Sequence, residues 1–175
     1  MNILGKKVYL RALEQKDCDM LLKLINDPET ERMIGGYSFP TSSLAQNDWL
    51  INKANGKNVF RCAIVPNDEN DAVGTIILSD IDEKNACAEI HIKLLDTARG
   101  KGLGSDAVKA VLNYAFNELR LNCVYSNVIS YNNASKDLFE KCGFKQEGIL
   151  RSRLFKDGGF QDVYSYSILK SEYEK

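Results

Sequence analysis

Apolar residues recur along this chain with two different periods, and the switches between them mark out strands and helices. KVYLRAL (7–13) alternates, putting Val8 and Leu10 on one face of a strand. QKDCDMLLKLIND (15–27) carries Met20, Leu21, Leu24 and Ile25 at helical spacing, and Pro28 is expected to end it. PETERMIGGYSFPTSS (28–43) is turn-rich and reads as irregular. A second helix is predicted from about Ser43 to Lys53, where NGK stops it.

Three strand patterns follow, NVFRCAIV (58–65), AVGTIILSDI (72–81) and ACAEIHIKLL (86–95), separated by PNDEND and DEKN. They read as an antiparallel meander. Gly102 to Arg120 is the strongest helix, with Leu103, Ala107, Val111, Tyr114, Ala115 and Leu119 forming a wide apolar stripe. NCVYSNVIS (122–130) is a further strand, and NASKDLFEKCGF holds a short helix closed by Gly143. The chain finishes as a hairpin whose turn is Asp157-Gly158-Gly159. The pattern predicts one α/β (α+β) domain spanning residues 1–175, built on a mixed sheet.

Composition narrows the function. A formal net charge of −1, with Lys and Arg scattered, argues against a nucleic-acid binder, which would carry a basic stripe. The 5 cysteines have no C-x-x-C spacing, so neither a disulfide framework nor a metal site is expected. MNILGKKVYL lacks the apolar run of a signal peptide, and no stretch is long and apolar enough to span a membrane. The expectation is a reduced cytoplasmic protein with no membrane partner.

RGKGLGSDAV (99–108) is the motif that carries chemistry. Three glycines alternate after a strand and at the start of the strongest helix. A P-loop needs G-x-x-x-x-G-K-[ST], but here Lys101 precedes Gly102. A dinucleotide fingerprint needs G-x-G-x-x-G with an acid about 20 residues later, and ELRLNCV supplies none in place. What remains is R-x-x-G-x-G over Arg99, Gly102 and Gly104. Amides of residues 100–105 at a helix N-terminus would suit a pyrophosphate. A helix start with flexible glycines and no ligand is the plainer alternative.

That motif resembles the [QR]-x-x-G-x-[GA] loop of the GCN5-related N-acetyltransferases (GNAT). The resemblance extends over LRALEQKDCDMLLKLIND, AEIHIKLLDTARGKGLGSDAV, NNASKDLFEKCGFKQEG and DGGFQDVYSYSIL, which is nearly the whole chain. These stretches look like the branch holding ribosomal-protein N-terminal and spermidine N-acetyltransferases. The resemblance implies a mostly antiparallel sheet of about seven strands flanked by about four helices. It also implies acetyl-CoA as cosubstrate, no metal, and direct attack by an amine on the thioester. Arg99, Gly100, Lys101, Gly102, Leu103, Gly104 and Ser105 would then hold the pyrophosphate. Leu94 and Leu95 would lie where this fold splays a strand toward the pantetheine arm, and Asn132 would bind that arm. Asn132 would look the same as an N-cap, and two leucines could simply be core.

Direct attack needs a neutral amine, yet an alkylammonium has a pKa of about 10. A proton acceptor is therefore required. Glu89 shares a strand face with His91 and Lys93, a polar row that fits an active-site wall and matches where the family often places its acid. A solvent-facing row would show the same alternation, and His91 is a second candidate base. Relatives protonate the departing thiolate with a tyrosine, but LFEKCGF puts Phe139 there. Ser135, in N-x-x-S from Asn132, resembles the serine of the ribosomal-protein branch, and early-helix capping would also explain it. Tyr131 is a less favoured substitute.

The acceptor is expected to meet residues 27–48 and the last hairpin, where Phe155, Phe160 and Tyr164 could line a cleft. Glu29, Glu31 and Asp48 could attract a cationic amine. FKDGGFQDV resembles the spermidine relatives, whereas Ser135 with Phe139 points to a protein or peptide N-terminus. The N-terminal acceptor is placed first, a polyamine or other small amine second. A module that binds acetyl-CoA without turnover is the alternative of another class. The residues do not set the oligomeric state; the resemblance is compatible with a homodimer.

Overall fold

In the computed structural model, residues 1–36, 39–54 and 56–173 are described. Positions 37 and 38, within the predicted acceptor segment, and 55, within the helix stop, lie outside them. One mixed sheet of eight strands organises the chain. The strands are β1 (Ile3–Leu4), β2 (Val8–Arg11), β3 (Phe60–Pro66), β4 (Gly74–Asp82), β5 (Cys87–Leu94), β6 (Cys123–Ile129), β7 (Lys145–Lys156) and β8 (Gly159–Leu169). Their spatial order is β1-β2-β3-β4-β5-β6-β8-β7. Every neighbouring pair is antiparallel except β5 and β6. The crossover between these two needs a helix, which the long apolar stripe after Gly102 supplies.

Six helices complete the described chain: α1 (Cys18–Asn26), α2 (Pro28–Arg32), α3 (Ser43–Asn52), α4 (Leu103–Asn117), α5 (Asn133–Lys141) and α6 (Lys170–Tyr173). The excess over the expected seven strands and four helices comes from short elements that barely register as a period. These are the two-residue β1, the five-residue α2 and the four-residue α6. Pro28 does end α1, and it also opens α2 at its first position. There a missing N–H costs nothing, and the Asp27 side chain accepts the Thr30 N–H.

Alternation along β3 sorts the two faces of the sheet. Cys62 and Ile64 join the larger core with Ala107, Val108, Val111 and Phe116 of α4. Ala63 and Val65 face the other way, against Met20, Leu21 and Leu24 of α1, with Trp49 and Leu50 of α3 alongside. β5 obeys the same rule: Ala88 and Ile90 are fully buried toward α4, so Glu89, His91 and Lys93 project to the α1–α3 side. The β7–β8 hairpin turns on Asp157 and Gly158, both with positive φ, as its Asp-Gly sequence predicts.

Candidate active site

The glycine motif joins β5 to α4. Gly100 and Gly102 have φ of 73° and 79°, left-handed values that a side chain makes costly. Gly102 is the N-cap of α4 and brings no capping side chain. The first-turn N–H groups of Leu103, Gly104 and Ser105 therefore lack intrahelical acceptors at the positive end of a 15-residue helix. Gly104 is glycine for a packing reason, because a Cβ there would lie 3.2 Å from Leu94 Cδ1. The Ser105 hydroxyl donates to the Gly102 carbonyl at 3.0 Å.

Two cations stand differently from the sequence picture. The Arg99 side chain folds back, donating to the Leu94 carbonyl at 3.3 Å and to the Thr30 hydroxyl at 3.0 Å. It thereby ties α2 to the end of β5. Lys7, which no motif singled out, places its ammonium 3.1 Å from the Lys101 carbonyl, on the loop itself. Its only sequence signal is a lysine at the start of the strand pattern KVYLRAL.

Beside the loop the sheet opens. β5 pairs with β6 only over Cys87–Glu89 against Cys123–Tyr125, while β4 follows β5 as far as Leu94. From Ile90 onward the β6 side of β5 has no strand partner. Successive amides of a strand point to opposite edges. The Leu95 N–H donates to Val73 at 2.9 Å, toward β4, so Leu94 faces its N–H into the gap. Leu95 was expected to share this role, but its amide is already taken by the main chain. The side chain of Leu94 packs with the α4 core and that of Leu95 with the α1 core.

Glu89 sits where the gap begins. Its Oε1 accepts from Asn127 Nδ2 at 3.0 Å, and Oε2 lies 3.7 Å from His91 Nε2. His91 in turn shares a 2.9 Å hydrogen bond with the Ser79 hydroxyl. Surrounding protein pushes the imidazole pKa below its ordinary value, and the Glu89 charge only partly opposes this. The imidazole is thus held toward its unprotonated form, which can accept a proton. Asn127 was not anticipated, since 38 residues separate it from Glu89.

On the far side of the gap, Asn132 caps α5. Its Oδ1 accepts the Ser135 N–H at 3.0 Å and its Nδ2 donates to the Met33 carbonyl at 3.0 Å. The capping duty therefore falls on Asn132. Ser135 contributes only its backbone N–H, and its half-buried hydroxyl makes no hydrogen bond among the described residues. Phe139 is 3% exposed and packs against Phe144 at 5.0 Å, inside the core. The Tyr131 hydroxyl donates to the Arg32 carbonyl at 2.7 Å, and burial raises its pKa.

Of the acids expected to draw a cation, Glu31 is in an ion pair, whereas Glu29 and Asp48 are in none among the described residues. Lys156, itself buried, places its ammonium 2.5 Å from Glu31. Arg32 pairs with Asp157 at 2.7 Å, which joins α2 to the hairpin tip. Asp48 accepts from Asn52. Phe155 and Phe160 form an edge-to-face pair at 5.3 Å on the exposed surface, and Tyr164 lies under the Lys136 ammonium. Among the described residues no group of three or more His, Cys, Asp or Glu could hold a metal ion. Nor is any described helix long and apolar enough to cross a membrane.

A helix N-terminus without a side-chain cap, a glycine loop and a main-chain gap lie side by side, and Glu89 stands where the gap begins. The family model of the acetyltransferase (GNAT) domain matches residues 7–145, so the chain belongs to the GNAT acetyltransferases and uses acetyl-CoA to acetylate an amine. A spermidine N(1)-acetyltransferase of Vibrio cholerae is 31% identical over 172 residues, covering 97% of each chain. A Bacillus subtilis relative, assigned provisionally as a ribosomal N-acetyltransferase, is 29% identical over 97% of this chain and 95% of its own. The crystal structure of spermidine N-acetyltransferase from Vibrio cholerae with CoA and spermine superimposes with a TM-score of 0.87 at 28% identity. It covers 98% of this chain and 100% of its own.

Proposed function

We propose that the amine acetylated is a protein or peptide N-terminus, presented on the sheet face that carries Glu89. The observation behind this reading is the pairing of Glu31 with Lys156 and of the hairpin's Asp157 with Arg32. A polycation needs several unmatched carboxylates, and these pairs remove two from that set, leaving Glu29 and Asp48. The residues fit acetyl-CoA at both ends. The first turn of α4 and Lys7 suit its pyrophosphate, and the Leu94 N–H in the gap suits its arm. Acetyl-CoA supplies the thioester that the amine attacks.

Glu89, oriented by Asn127, takes the proton from the ammonium, directly or through water, and His91 stands beside it as the second acceptor. The Ser135 hydroxyl serves the thiolate that leaves, because Phe139 has no proton to give. A polyamine acceptor is the second reading, favoured by the spermidine enzymes among the relatives. Thiol release from acetyl-CoA, measured against N-terminal peptides and spermidine in parallel, decides between them. Faster turnover on peptides is expected; turnover on spermidine alone would overturn the reading. Tight acetyl-CoA binding with no thiol release from either would indicate a module without catalysis.

A further inference from the structure

A cavity of about 450 Å³ lies between α1, α3 and the sheet, on the face that carries Glu89. Its apolar walls include Leu21, Leu24, Trp49 and Ile77. Its charged lining is wholly cationic: Lys53, Arg61 and Lys93 contribute, and no aspartate or glutamate does among the described residues. Lys93 shares its strand face with Glu89, four residues along β5.

Arg61 and Lys93 keep donors without acceptors. Arg61 donates through Nη1 to the Ala54 carbonyl and lies 5.0 Å over the Trp49 ring, yet its buried Nε has no partner. The Lys93 ammonium makes no hydrogen bond or ion pair among the described residues. Burial pushes its pKa down; Arg61 adds to this, and the Glu31 charge opposes it from within its own pair with Lys156. Burial alone lowers that of Arg61. Two more lining side chains, Gln46 and Thr75, are each 4% exposed and form no side-chain hydrogen bond within the described chain. Buried polar groups and charges are ordinarily paired. Here the Arg61 Nε is buried without a partner, and the Lys93, Gln46 and Thr75 side chains that line the same cavity form no hydrogen bond among the described residues.

We propose that this cavity seats a carboxylate of the acceptor against Arg61 and Lys93. The inference rests on the peptide reading above and sharpens it. The acceptor is a peptide whose acidic side chain lies near the amine to be acetylated. Gln46 and Thr75 donate to the remaining carboxylate lone pairs, and the apolar walls take the methylenes that carry it. Net positive charge without acids is the wrong lining for a polyamine, whose ammonium groups would be repelled.

The test compares peptides that differ only by Asp against Asn, or Glu against Gln, near the N-terminus. Thiol release would be followed for the unaltered enzyme and for Arg61→Gln and Lys93→Met separately. The unaltered enzyme should show a KM about tenfold or more lower for the acidic peptide, the size of a charge-assisted hydrogen bond. Each variant should bring the acidic peptide's KM up toward that of its amide partner. Calorimetry of both peptides with the unaltered enzyme gives a second readout that does not depend on how the variants fold. Equal KM and equal affinity for acid and amide would overturn the inference and leave the peptide reading standing. A preference that survives in both folded variants would overturn the role of this cavity. Acetylation of spermidine with no peptide acetylated would overturn the reading itself.

Discussion

The Asp106 carboxylate accepts the backbone N–H of Lys7 at 2.7 Å, across 99 residues of sequence, and that of Val8 at 3.1 Å. The first turn of α4 and the start of β2 are therefore one unit, and it delivers the Lys7 ammonium to the glycine loop. Gly5 makes room for this contact, since a Cβ there would lie 2.4 Å from the carboxylate oxygen. Asp106→Ala should remove the acceptor of the exposed Lys7 N–H and the part-buried Val8 N–H, at a cost of about 1 kcal/mol. At this chain length that lowers Tm by roughly 2–4 °C per kcal/mol. The Kd for acetyl-CoA should rise in parallel as Lys7 loses its anchor. A melting scan and calorimetry check both; an unchanged Kd would separate the anchor from cofactor binding.

Gly102→Val should leave the protein folded but unable to hold acetyl-CoA well. The left-handed backbone at this position costs a β-branched residue about 1–2 kcal/mol, well short of a domain's typical stability. The new side chain would crowd the Lys7 ammonium, 3.1 Å from a Cβ at this position, beside the amides proposed to hold the pyrophosphate. The expected Kd increase is at least about tenfold, read by calorimetry beside a normal far-ultraviolet spectrum.

Ser135→Ala removes a hydroxyl without removing a cap, because Asn132 caps through the Ser135 backbone N–H. Melting temperature should therefore stay put while kcat falls and KM for acetyl-CoA hardly changes. Asn132→Ala gives the opposite signature, a stability loss of about 1 kcal/mol from the lost cap. An unchanged kcat in the serine variant would assign Ser135 to the helix start alone.

Arg11 and Asp17 form a bidentate ion pair at 2.7 and 2.8 Å, with side chains 9% and 2% exposed. Burial works to raise the Asp17 pKa, but the Arg11 guanidinium and the Glu14 N–H outweigh it and hold the value below the ordinary range. A folded pKa below the unfolded one stabilises the protein above about pH 4. That contribution is lost as pH falls through the unfolded and then the folded value. Denaturant melts should show this acid slope, and Asp17→Asn should flatten it. The variant should also cost about 3 kcal/mol at neutral pH, because Arg11 is left without its partner charge.

The features legible in the sequence were those written in one stretch of chain. β5 and α4 carry long, unbroken periods, so their faces and the Glu89–His91–Lys93 row followed directly. The glycine loop is likewise contiguous, and its spacing excluded two other phosphate-binding designs. The residues that organise the site come from elsewhere in the chain. Lys7 reaches Lys101, Thr30 meets Arg99 and Asn127 orients Glu89, and no local pattern reports such distant pairs. Neutralisation of Glu31 was hidden for the same reason, because Lys156 arrives from the last hairpin. Arg61 stood inside the strand pattern NVFRCAIV without being singled out, because the unpaired state of its Nε is a fact of packing alone. Asp27-Pro28 did carry a cap-and-start signal for α2, masked by the turn residues that follow it.

The short parallel contact between β5 and β6 has a mechanical consequence. The sheet is two leaves, β1 to β5 and β6 to β8, stitched by three residue pairs and backed by α4. The main chain leaves the rest of that seam unstitched. If the coenzyme arm lies there, as proposed above, each catalytic cycle would insert and withdraw part of the molecule's own bracing. Rigidity would then track coenzyme occupancy, with binding energy knitting the leaves together.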